Sequence, residues 1–449
     1  MKKIASTLIL VIFLILISLT IIISTVGIET NRFNNLISKK INNNNNNINL
    51  ELTTIKFKLD IKEISLFLET INPKVNYRNV VIPAETIKVY IDFLSLLKSE
   101  PKIEKINVSL NKLDIKQLKK LSITFKPSNF TSFVNNKIKQ GKLIAELEFY
   151  LDEKNLLDNF IARGSVSNLK AEITSNLNLE NTKFSFFADK SDILIKNIFS
   201  ETDSIRIEDG DIKLKLLKEI SLEANFKSKL KFNNKSINNI DLIKNFKYAK
   251  DITSLEADLN NTFFITFDKT YKVKKYNYKS NGKITRADLN FEKPIKSYLS
   301  NEKIKQLSIS NTEISTEFSP KKNNTVIEGK YSLNKGNLLL FNLSNLVDKE
   351  LLTLKFNAEY DKTLELKFIN YKKKNKSIAN ISIDLSKKKN KFNMNSLNLS
   401  EGNNSILIED IKFNKNQFLS LKNIYIKTSK DGKINNNFFI IFGKKITIK

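Results

Sequence analysis

Residues 220–232 read ISLEANFKSKLKF, in which apolar and polar side chains take alternate positions. Ile220, Leu222, Ala224 and Phe226 are two residues apart, and Leu230 and Phe232 continue the same period after Ser228, with Lys, Glu, Asn and Ser at the positions between. Successive side chains of a β-strand point to opposite faces of its sheet. The stretch therefore predicts an antiparallel strand with one apolar face and one wet face.

The same two-residue period recurs along most of the chain from residue 55 onward. It predicts a mainly β fold, in which an N-terminal transmembrane helix is followed by an elongated, curled antiparallel β-sheet groove with few short helices. The alternating apolar positions are Ile55/Phe57/Leu59/Ile61, Ile87/Val89/Ile91, Phe184/Phe186/Ala188, Ile193/Ile195, Ile212/Leu214/Leu216, Phe263/Ile265/Phe267, Leu352/Leu354/Phe356/Ala358, Leu364/Leu366/Phe368 and Ile381/Ile383/Leu385.

Turn-forming residues separate these segments and predict hairpins. The clearest are Asp209-Gly210, Asn281-Gly282, Lys335-Gly336-Asn337 and Asp431-Gly432. We interpret the acidic cluster at 208–211 as part of such a turn, because a calcium loop needs more oxygen ligands at wider spacing. The sequence IEDGDI at 207–212 is echoed by IEDI at 408–411, which indicates a repeated strand-turn unit.

Few segments have helical periodicity. We predict a helix from an N-cap at Ser128 to Gly141, a short helix over Leu113–Leu121, and an amphipathic helix over residues 33–41. The six asparagines at 42–47 have no apolar face to bury and predict a solvated loop.

A membrane segment opens the chain. Residues 4–28 carry no charge and would span about 37 Å as a helix, enough to cross a hydrocarbon core of about 30 Å. Residues 24–27 are a poor cleavage site, so we favour an uncleaved anchor over a signal peptide. Lys2 and Lys3 place the N-terminus in the cytoplasm, although Arg32 lies on the other flank. Residues 29–449 are then expected outside.

Composition excludes several classes of chemistry. The sequence contains no His, Cys or Trp. Histidine-based catalytic triads, histidine and cysteine metal sites and redox dithiols are therefore impossible. No cofactor, metal site or catalytic residue is expected, and an enzyme would need a pair of carboxylates that nothing in the sequence marks.

The net charge of +28 raises the question of nucleic-acid binding. Most basic residues stand singly between apolar ones, and tight runs occur only at 372–374 and 387–389. We interpret them as a solvated basic face, with some attraction to anionic lipid headgroups, and expect no nucleic-acid partner.

Many strands with a single apolar face cannot form a flat sheet in water. The face must be closed into a sandwich or barrel, or the sheet must curl into an open channel that acyl chains could fill. Periodicity alone leaves the dry core and the lipid-filled groove equally open.

A family resemblance favours the groove. After the anchor and the strand at Ile55–Ile61, the chain reads PAETIKVYI at 83–91, FLSLLK at 93–98 and PKIEKINV at 101–108. This order resembles the AsmA-like family, relatives of the TamB and YhdP envelope proteins and distantly similar to chorein-type bridge-like lipid transfer proteins. Residues 145–300, with RGSV at 163–166 and IEDGDI at 207–212, resemble the central domain of YhdP-like members.

The resemblance implies a protein anchored in the bacterial inner membrane, with most of the chain in the periplasm, that binds or conducts phospholipid toward the outer membrane and supports envelope integrity. Its partners would be membrane phospholipids, the inner membrane and outer-membrane components. An alternative is an assembly factor that pairs with strands of outer-membrane proteins. The residues expected to line the groove are Ile55, Phe57, Leu59, Ile87, Val89, Ile91, Phe184, Phe186, Ile193, Ile195, Ile212, Leu214, Leu216, Leu222, Phe226, Leu230 and Phe232.

Three segments follow from these observations. We expect a transmembrane anchor at 1–28, an AsmA/chorein-like N-terminal module at 29–140 and an elongated β-groove at 141–449. The chain is shorter than YhdP-like members and its strand pattern continues to Ile446–Ile448, so we expect a short member or a piece of a longer protein.

Overall fold

A computed structural model of the chain describes residues 2–31, 34, 38, 48–52, 54–63, 65–78, 80–92, 102–124, 129–153, 156–174, 177–216, 219–238, 249–268, 272–296, 302–369, 371–430, 433–442 and 445–448. The protein is mainly β, with 72% strand and 12% helix, which confirms the predicted fold class. It divides into two compact units. The first comprises Met1–Ser200 with Asp211–Lys218, and the second comprises Glu201–Gly210 with Glu219–Lys449.

The first unit begins with the apolar helix α1, Lys2–Thr25, which is long and apolar enough to cross a membrane. Its other helices are α2, Ile115–Ile123, and α3, Asn129–Asn136. Its strands are β1 (Ile28–Thr30), β2 (Ile48–Glu51), β3 (Ile55–Asp60), β4 (Ser65–Ile71), β5 (Lys74–Tyr77), β6 (Val80–Ile82), β7 (Ala84–Ile91), β8 (Ile103–Leu110), β9 (Leu113–Asp114), β10 (Ile138–Leu151), β11 (Leu157–Thr174), β12 (Leu177–Ala188) and β13 (Asp192–Glu201), the last residue of which belongs to the second unit.

Strands of the first unit form an antiparallel sheet in the order β1-β3-β4-β7-β8-β10-β11-β12. β2, β5 and β6 form a separate small antiparallel sheet. A capping box at Asp114 begins α2: the Asp114 carboxylate accepts from the Gln117 amide, and the Gln117 side chain accepts from the Asp114 amide. α2 and α3 then pack on one end of the sheet, where Val134, Ile138 and Ala171 form a small core.

The second unit is a longer antiparallel run. Its strands β15 to β21 pair in sequence order, and the run continues through β24, β25, β26, β28, β29 and β30. The first and last strands of this run do not pair with each other among the described residues. The strands are β15 (Ile220–Asn233), β16 (Ile252–Phe267), β17 (Val273–Lys296), β18 (Lys303–Phe318), β19 (Lys322–Leu333), β20 (Leu339–Asp348), β21 (Leu351–Tyr360), β22 (Leu364–Leu366), β23 (Tyr371–Lys373), β24 (Ala379–Lys388), β25 (Lys391–Glu401), β26 (Asn404–Asn414), β27 (Gln417–Ser420), β28 (Asn423–Lys430), β29 (Lys433–Phe442) and β30 (Lys445–Ile448).

Short helices interrupt the second unit at two places. The helix α4, Asn234–Asn238, and a 3-10 turn at Ala249–Asp251 lie between β15 and β16. A second 3-10 turn, Lys367–Ile369, lies between β22 and β23, which pair with each other in a two-stranded sheet. β14, Ile205–Lys215, is shared, with its first part in the second unit and its end in the first.

Two of the predicted hairpin turns are wrong. Asp209-Gly210 lies inside β14, and Asn281-Gly282 lies inside β17. Asp209 has a φ of 50°, so the dipeptide produces a left-handed residue within a continuous strand. Asp410, in the echo of this sequence, has a φ of 56° inside β26. The echo thus marks a shared local bend, not a turn.

Gly282 has a different physical reason to be glycine. A Cβ atom there would lie 2.0 Å from the carbonyl oxygen of Asp258 on the neighbouring strand. The glycine permits close approach of two backbones in the sheet interior. The predicted turn at Lys335–Asn337 is confirmed, since these residues connect β19 and β20. The dipeptide at 431–432 is outside the described residues.

The helix predictions were partly correct. The predicted helix over Leu113–Leu121 is present as α2, but it begins two residues later at Ile115 because Leu113–Asp114 forms β9. The helix predicted to reach Gly141 ends at Asn136, and Ile138 already starts β10. Residues 33, 36, 37 and 41–47 and the cap at residue 128 lie outside the described residues, as does the segment 93–98. The predicted boundary at residue 140 falls inside β10.

Candidate functional site: the apolar sheet face

Cross-strand pairing in the first unit gathers the alternating apolar residues on one face, called here the first apolar face. Residues paired across neighbouring strands point to the same side of the sheet. One row of paired residues begins directly after the anchor and crosses seven strands. It consists of Ile28, Phe57, Leu68, Val89, Ile106, Phe149 and Phe160.

Adjacent rows extend this face. Ile55 lies in line with Ile87, Val108 and Leu147 through the buried Thr70. Leu59 lies in line with Leu66, Ile91 and Ile103. Further along the sheet, Phe186 and Phe184 on β12 pair with Gly164 and Val166 on β11, and so extend the face by one more strand.

Most side chains of the first apolar face remain partly exposed. Phe57, Val89 and Phe149 are only partly buried, whereas Ile55 is 1% exposed and packs with Leu68 and Ile91 in a small core. A sheet face covered by a second sheet would have dry side chains throughout. This face therefore has local cores at a few positions and accessible apolar surface between them.

The anchor joins this sheet almost without a linker. α1 ends at Thr25, and β1 starts at Ile28 and pairs with β3. Gly27 makes the junction with a φ of +77°, and a Cβ there would lie 2.7 Å from the Cγ of Lys58. Because only two residues separate helix and strand, the edge of the sheet lies next to the end of α1.

The second unit has an apolar face of its own, called here the second apolar face. A single row of cross-strand partners runs from β16 to β28, and except for one glycine every member is aliphatic or aromatic. The described side chains of this row are all partly buried. It consists of Leu259, Gly282, Ile314, Ile327, Leu343, Phe356, Ile383, Leu397, Ile408 and Ile424.

A buried polar network interrupts the second apolar face on β15–β17. The side chain of Asn261 is 4% exposed and donates to the hydroxyl of Ser228 at 2.9 Å. Its carbonyl oxygen accepts from the hydroxyl of Tyr278 at 2.8 Å and from that of Ser280 at 2.9 Å. A slip of two residues would preserve the apolar alternation but unpair these groups, so the network fixes the register of three long strands.

The opposite face of the second unit is rich in charged residues, although Phe264 and Leu340 are exposed there at 41% and 54%. Lys227 pairs with Asp209 at 2.8 Å and Lys229 with Glu208 at 2.9 Å, all near the solvent. The hydrogen bond from Lys227 lowers the pKa of Asp209 and raises that of Lys227. Two depressions of about 580 and 530 Å³ lie on this face, and the carboxylates of Glu313 and Glu328 line both. Such surfaces do not suit acyl chains.

In the first unit, the sheet face opposite the first apolar face is not uniformly polar, which the sequence pattern did not indicate. The rings of Phe67 and Tyr90 stack there with centroids 5.1 Å apart, and both are buried. The ammonium of Lys105 lies 4.3 Å from the centroid of Tyr90 and 2.7 Å from a carboxylate oxygen of Glu63. Burial, followed by the nearby carboxylates of Asp60 and Glu63, raises the pKa of Tyr90 to about 12.

Of the predicted lining residues, those on β3, β7, β12 and β15 lie on the two apolar faces. Of the predicted set, Ile55, Ile91 and Phe232 are buried at 1%, 8% and 6% exposure, and the others are partly exposed. Leu222, Phe226 and Leu230 lie on the second apolar face, in line with Ile265, Asn261 and Ala257. Ile193 and Ile195 are on β13, and Ile212 and Leu214 on β14, with Leu216 just after it.

One covering element was missed from the sequence. Residues 361–378, called here the inserted segment, connect β21 to β24, and residue 370 within it is outside the described part. Leu364, Ile369 and Tyr371 of this segment pack on the second apolar face. The alternation of Leu364, Leu366 and Phe368 predicts a regular strand of the large sheet, and this prediction is wrong. Leu364 and Leu366 belong to β22, which forms a two-stranded sheet with β23, and Phe368 lies in the 3-10 turn that follows.

Comparisons with known proteins add no relative. No protein-family model, no curated protein and no solved structure matches the chain. Function is therefore inferred from the geometry of the two apolar faces and from the apolar helix α1.

Proposed function

We propose that the protein is a membrane-anchored, non-enzymatic protein that binds or conducts phospholipid by seating acyl chains on its apolar sheet faces. The single observation that carries the proposal is the row of aliphatic and aromatic side chains that begins at Ile28, all of them partly or largely exposed except the buried Leu68. It starts two residues beyond the membrane helix and continues to Phe160.

Acyl chains suit this surface for a physical reason. Contiguous exposed apolar surface beyond a few hundred Å² is rare on soluble monomers and marks binding sites for proteins, membranes or ligands. Rows running across many strands provide a long strip of aliphatic and aromatic surface. The backbone groups beneath it are already paired by the hydrogen bonds between neighbouring strands. A flexible hydrocarbon chain can follow such a strip, whereas a globular ligand would cover only a part of it.

The direct junction between anchor and sheet supports the membrane around α1 as the source of the lipid. A lipid leaving the outer leaflet next to α1 would meet Ile28 and Phe57 first. We place the chain in a bacterial inner membrane, with Lys2 and Lys3 on the cytoplasmic side and residues 29–449 in the periplasm. Delivery toward the outer membrane, with its components as further partners, and membership of the AsmA-like family stay predictions based on the sequence resemblance.

Adjacent phenylalanines in β12 provide a matched test. Phe186 is on the first apolar face, and Phe187 points to the opposite face with 39% exposure. The purified chain and its Phe186→Glu and Phe187→Glu variants are exchanged into lipid-free detergent. The phospholipid that stays bound is then extracted from each protein and measured by mass spectrometry. We expect the Phe186→Glu variant to lose phospholipid relative to the unaltered chain, and the Phe187→Glu variant to retain it.

Equal retention in both variants would refute acyl binding on the first apolar face. Release of a strand-forming protein client from the Phe186→Glu variant, with phospholipid unchanged, would instead support the alternative of an assembly factor acting by strand pairing.

A further inference from the structure

The inserted segment is not needed to connect the strands that flank it. β21 and β24 are adjacent antiparallel strands, and their last pair is Tyr360 opposite Ala379. A two-residue turn can join such a pair. Residues 361–378 are thus an excursion from a complete hairpin, and their position must be explained by what they contact.

The inserted segment folds back onto the second apolar face. Leu364, Ile369 and Tyr371 are 5%, 5% and 2% exposed, and they share one cluster with residues of the sheet. The sheet residues in this cluster are Leu399, Ile406 and Ile426, which are mutual cross-strand partners with 6%, 5% and 2% exposure. The adjacent row on the same face, from Leu343 to Phe356, is only partly buried.

Polar contacts also hold the inserted segment against the sheet. The Tyr371 hydroxyl and the Ser377 hydroxyl each donate to a different carboxylate oxygen of Glu401, the last residue of β25. Lys373 is fully buried, and its ammonium donates to the carbonyl oxygens of Lys362 at 2.9 Å and Lys374 at 3.0 Å. The lysine therefore ties the segment to itself, while the Glu401 carboxylate binds it to the sheet through two hydroxyls. Near the start of the segment, the Asp361 carboxylate accepts from the Asn337 side-chain amide at 3.1 Å, and the Thr363 hydroxyl donates to Glu302 at 3.2 Å.

From this geometry we infer that the inserted segment is an autoinhibitory lid, which occupies the part of the second apolar face that an acyl chain would otherwise cover. Leu364, Ile369 and Tyr371 take the place of hydrocarbon over Leu399, Ile406 and Ile426. The inference rests on the proposed function, because it assigns the lid and the acyl chain to the same surface. The side-chain hydrogen bonds that hold the segment, to Glu401, Asn337 and Glu302, are few enough to break without unfolding the sheet.

Tryptophan fluorescence can separate the lid from the proposed function, since the chain contains no Trp. Leu343→Trp and Ile408→Trp place the reporter in the same row of the second apolar face. Leu343 lies away from the lid, and Ile408 packs against the covered cluster. Each reporter is introduced into the full chain and into a variant in which Asn-Gly replaces residues 361–378. The probe is a vesicle of phosphatidylglycerol brominated in its acyl chains, which quenches tryptophan on contact.

We expect quenching at position 343 in both backgrounds, and quenching at position 408 only after excision. Equal quenching at position 408 with the lid present would overturn the lid and leave the proposed function intact. Absence of quenching at position 343 in both backgrounds would refute the proposed function itself.

A second variant keeps the test informative about the polar contacts. Tyr371→Phe combined with Ser377→Ala removes both hydrogen bonds to Glu401 and retains the apolar packing. It should increase quenching at position 408 relative to the unaltered chain, while a Ser420→Ala control on β27 should not. If excision abolishes the strand signal in circular dichroism, the segment is an integral part of the core and the lid is refuted.

Discussion

Phe226→Asp distinguishes an accessible apolar face from a closed core. Phe226 and Phe232 lie on the same face of β15, but Phe226 is partly exposed and Phe232 is 6% exposed. Truncating a fully buried Phe costs about 3–5 kcal/mol of unfolding free energy. Since Phe226 is only partly buried, roughly half of that value, about 2 kcal/mol, is expected from its lost packing.

The introduced carboxylate increases the contrast between the two sites. At position 226 the carboxylate can keep its water, so little is added to the packing loss. At position 232 it would be buried without a partner, which adds a desolvation cost of several kcal/mol. We therefore expect Phe226→Asp to leave the second unit folded and Phe232→Asp to unfold it.

The assay is urea unfolding followed by far-UV circular dichroism, with linear extrapolation to water. Asn225→Asp is the control, because Asn225 is exposed on the polar face opposite Thr262 and should change stability by less than about 0.5 kcal/mol. Unfolding of the Phe226→Asp variant to the same extent as Phe232→Asp would show a closed core and refute the accessible face.

Three further predictions follow from particular residues. Gly282→Ala should destabilise the second unit by about 1–3 kcal/mol in the same urea assay, because its Cβ would lie 2.0 Å from the Asp258 carbonyl oxygen; an unchanged midpoint would contradict the close approach. Burial raises the pKa of Tyr90 from 10.0 to about 12, so the folded state favours the neutral phenol. Its stabilisation is complete below pH 10 and is lost as the pH rises through 12, so Tyr90→Phe should reduce the fall in unfolding free energy over that interval, and an unaltered pH profile would argue against the shift. Alkaline phosphatase fused after Lys449 should be active in a bacterial host, and an inactive fusion that reaches the membrane intact would contradict the orientation.

Periodicity predicted the fold class and, in strands such as β15, which side chains share a face. In β15 the apolar residues Leu222, Phe226 and Leu230 lie on one face, and Glu223 and Lys227 on the other, as the alternation predicts. The pattern is informative because one face must avoid water, so the register of side chains follows directly from hydrophobicity.

Local turn chemistry was less informative. Asp209-Gly210 and Asn281-Gly282 have the composition of hairpin turns but lie inside strands. An Asp or Asn in the left-handed region, or a Gly next to a neighbouring backbone, meets a local steric need that turns and bent strands share. Only cross-strand pairing decides between them, and that depends on residues distant in sequence.

The packing of the inserted segment on the second apolar face could not be predicted, for a related reason. Leu364 and Leu366 have the two-residue period of a sheet strand, and β22 is indeed a strand. Nothing in the period indicates that it pairs with β23 in a two-stranded sheet and packs on top of the large sheet. The contacts of Tyr371 and Ser377 with Glu401 likewise join residues far apart in the chain.

Photo-crosslinking at two neighbouring phenylalanines tests most directly whether the apolar faces contact lipid. Phe263 lies on the second apolar face, in line with Ala224 and Tyr278, and Phe264 points to the polar face with 41% exposure. Each is replaced by p-benzoylphenylalanine in the full chain, cells are irradiated, and the captured molecules are identified by mass spectrometry. We predict that the probe at position 263 captures phospholipid and that the probe at position 264 does not. Equal capture at the two positions, or capture of protein alone at position 263, would contradict acyl binding on the apolar face.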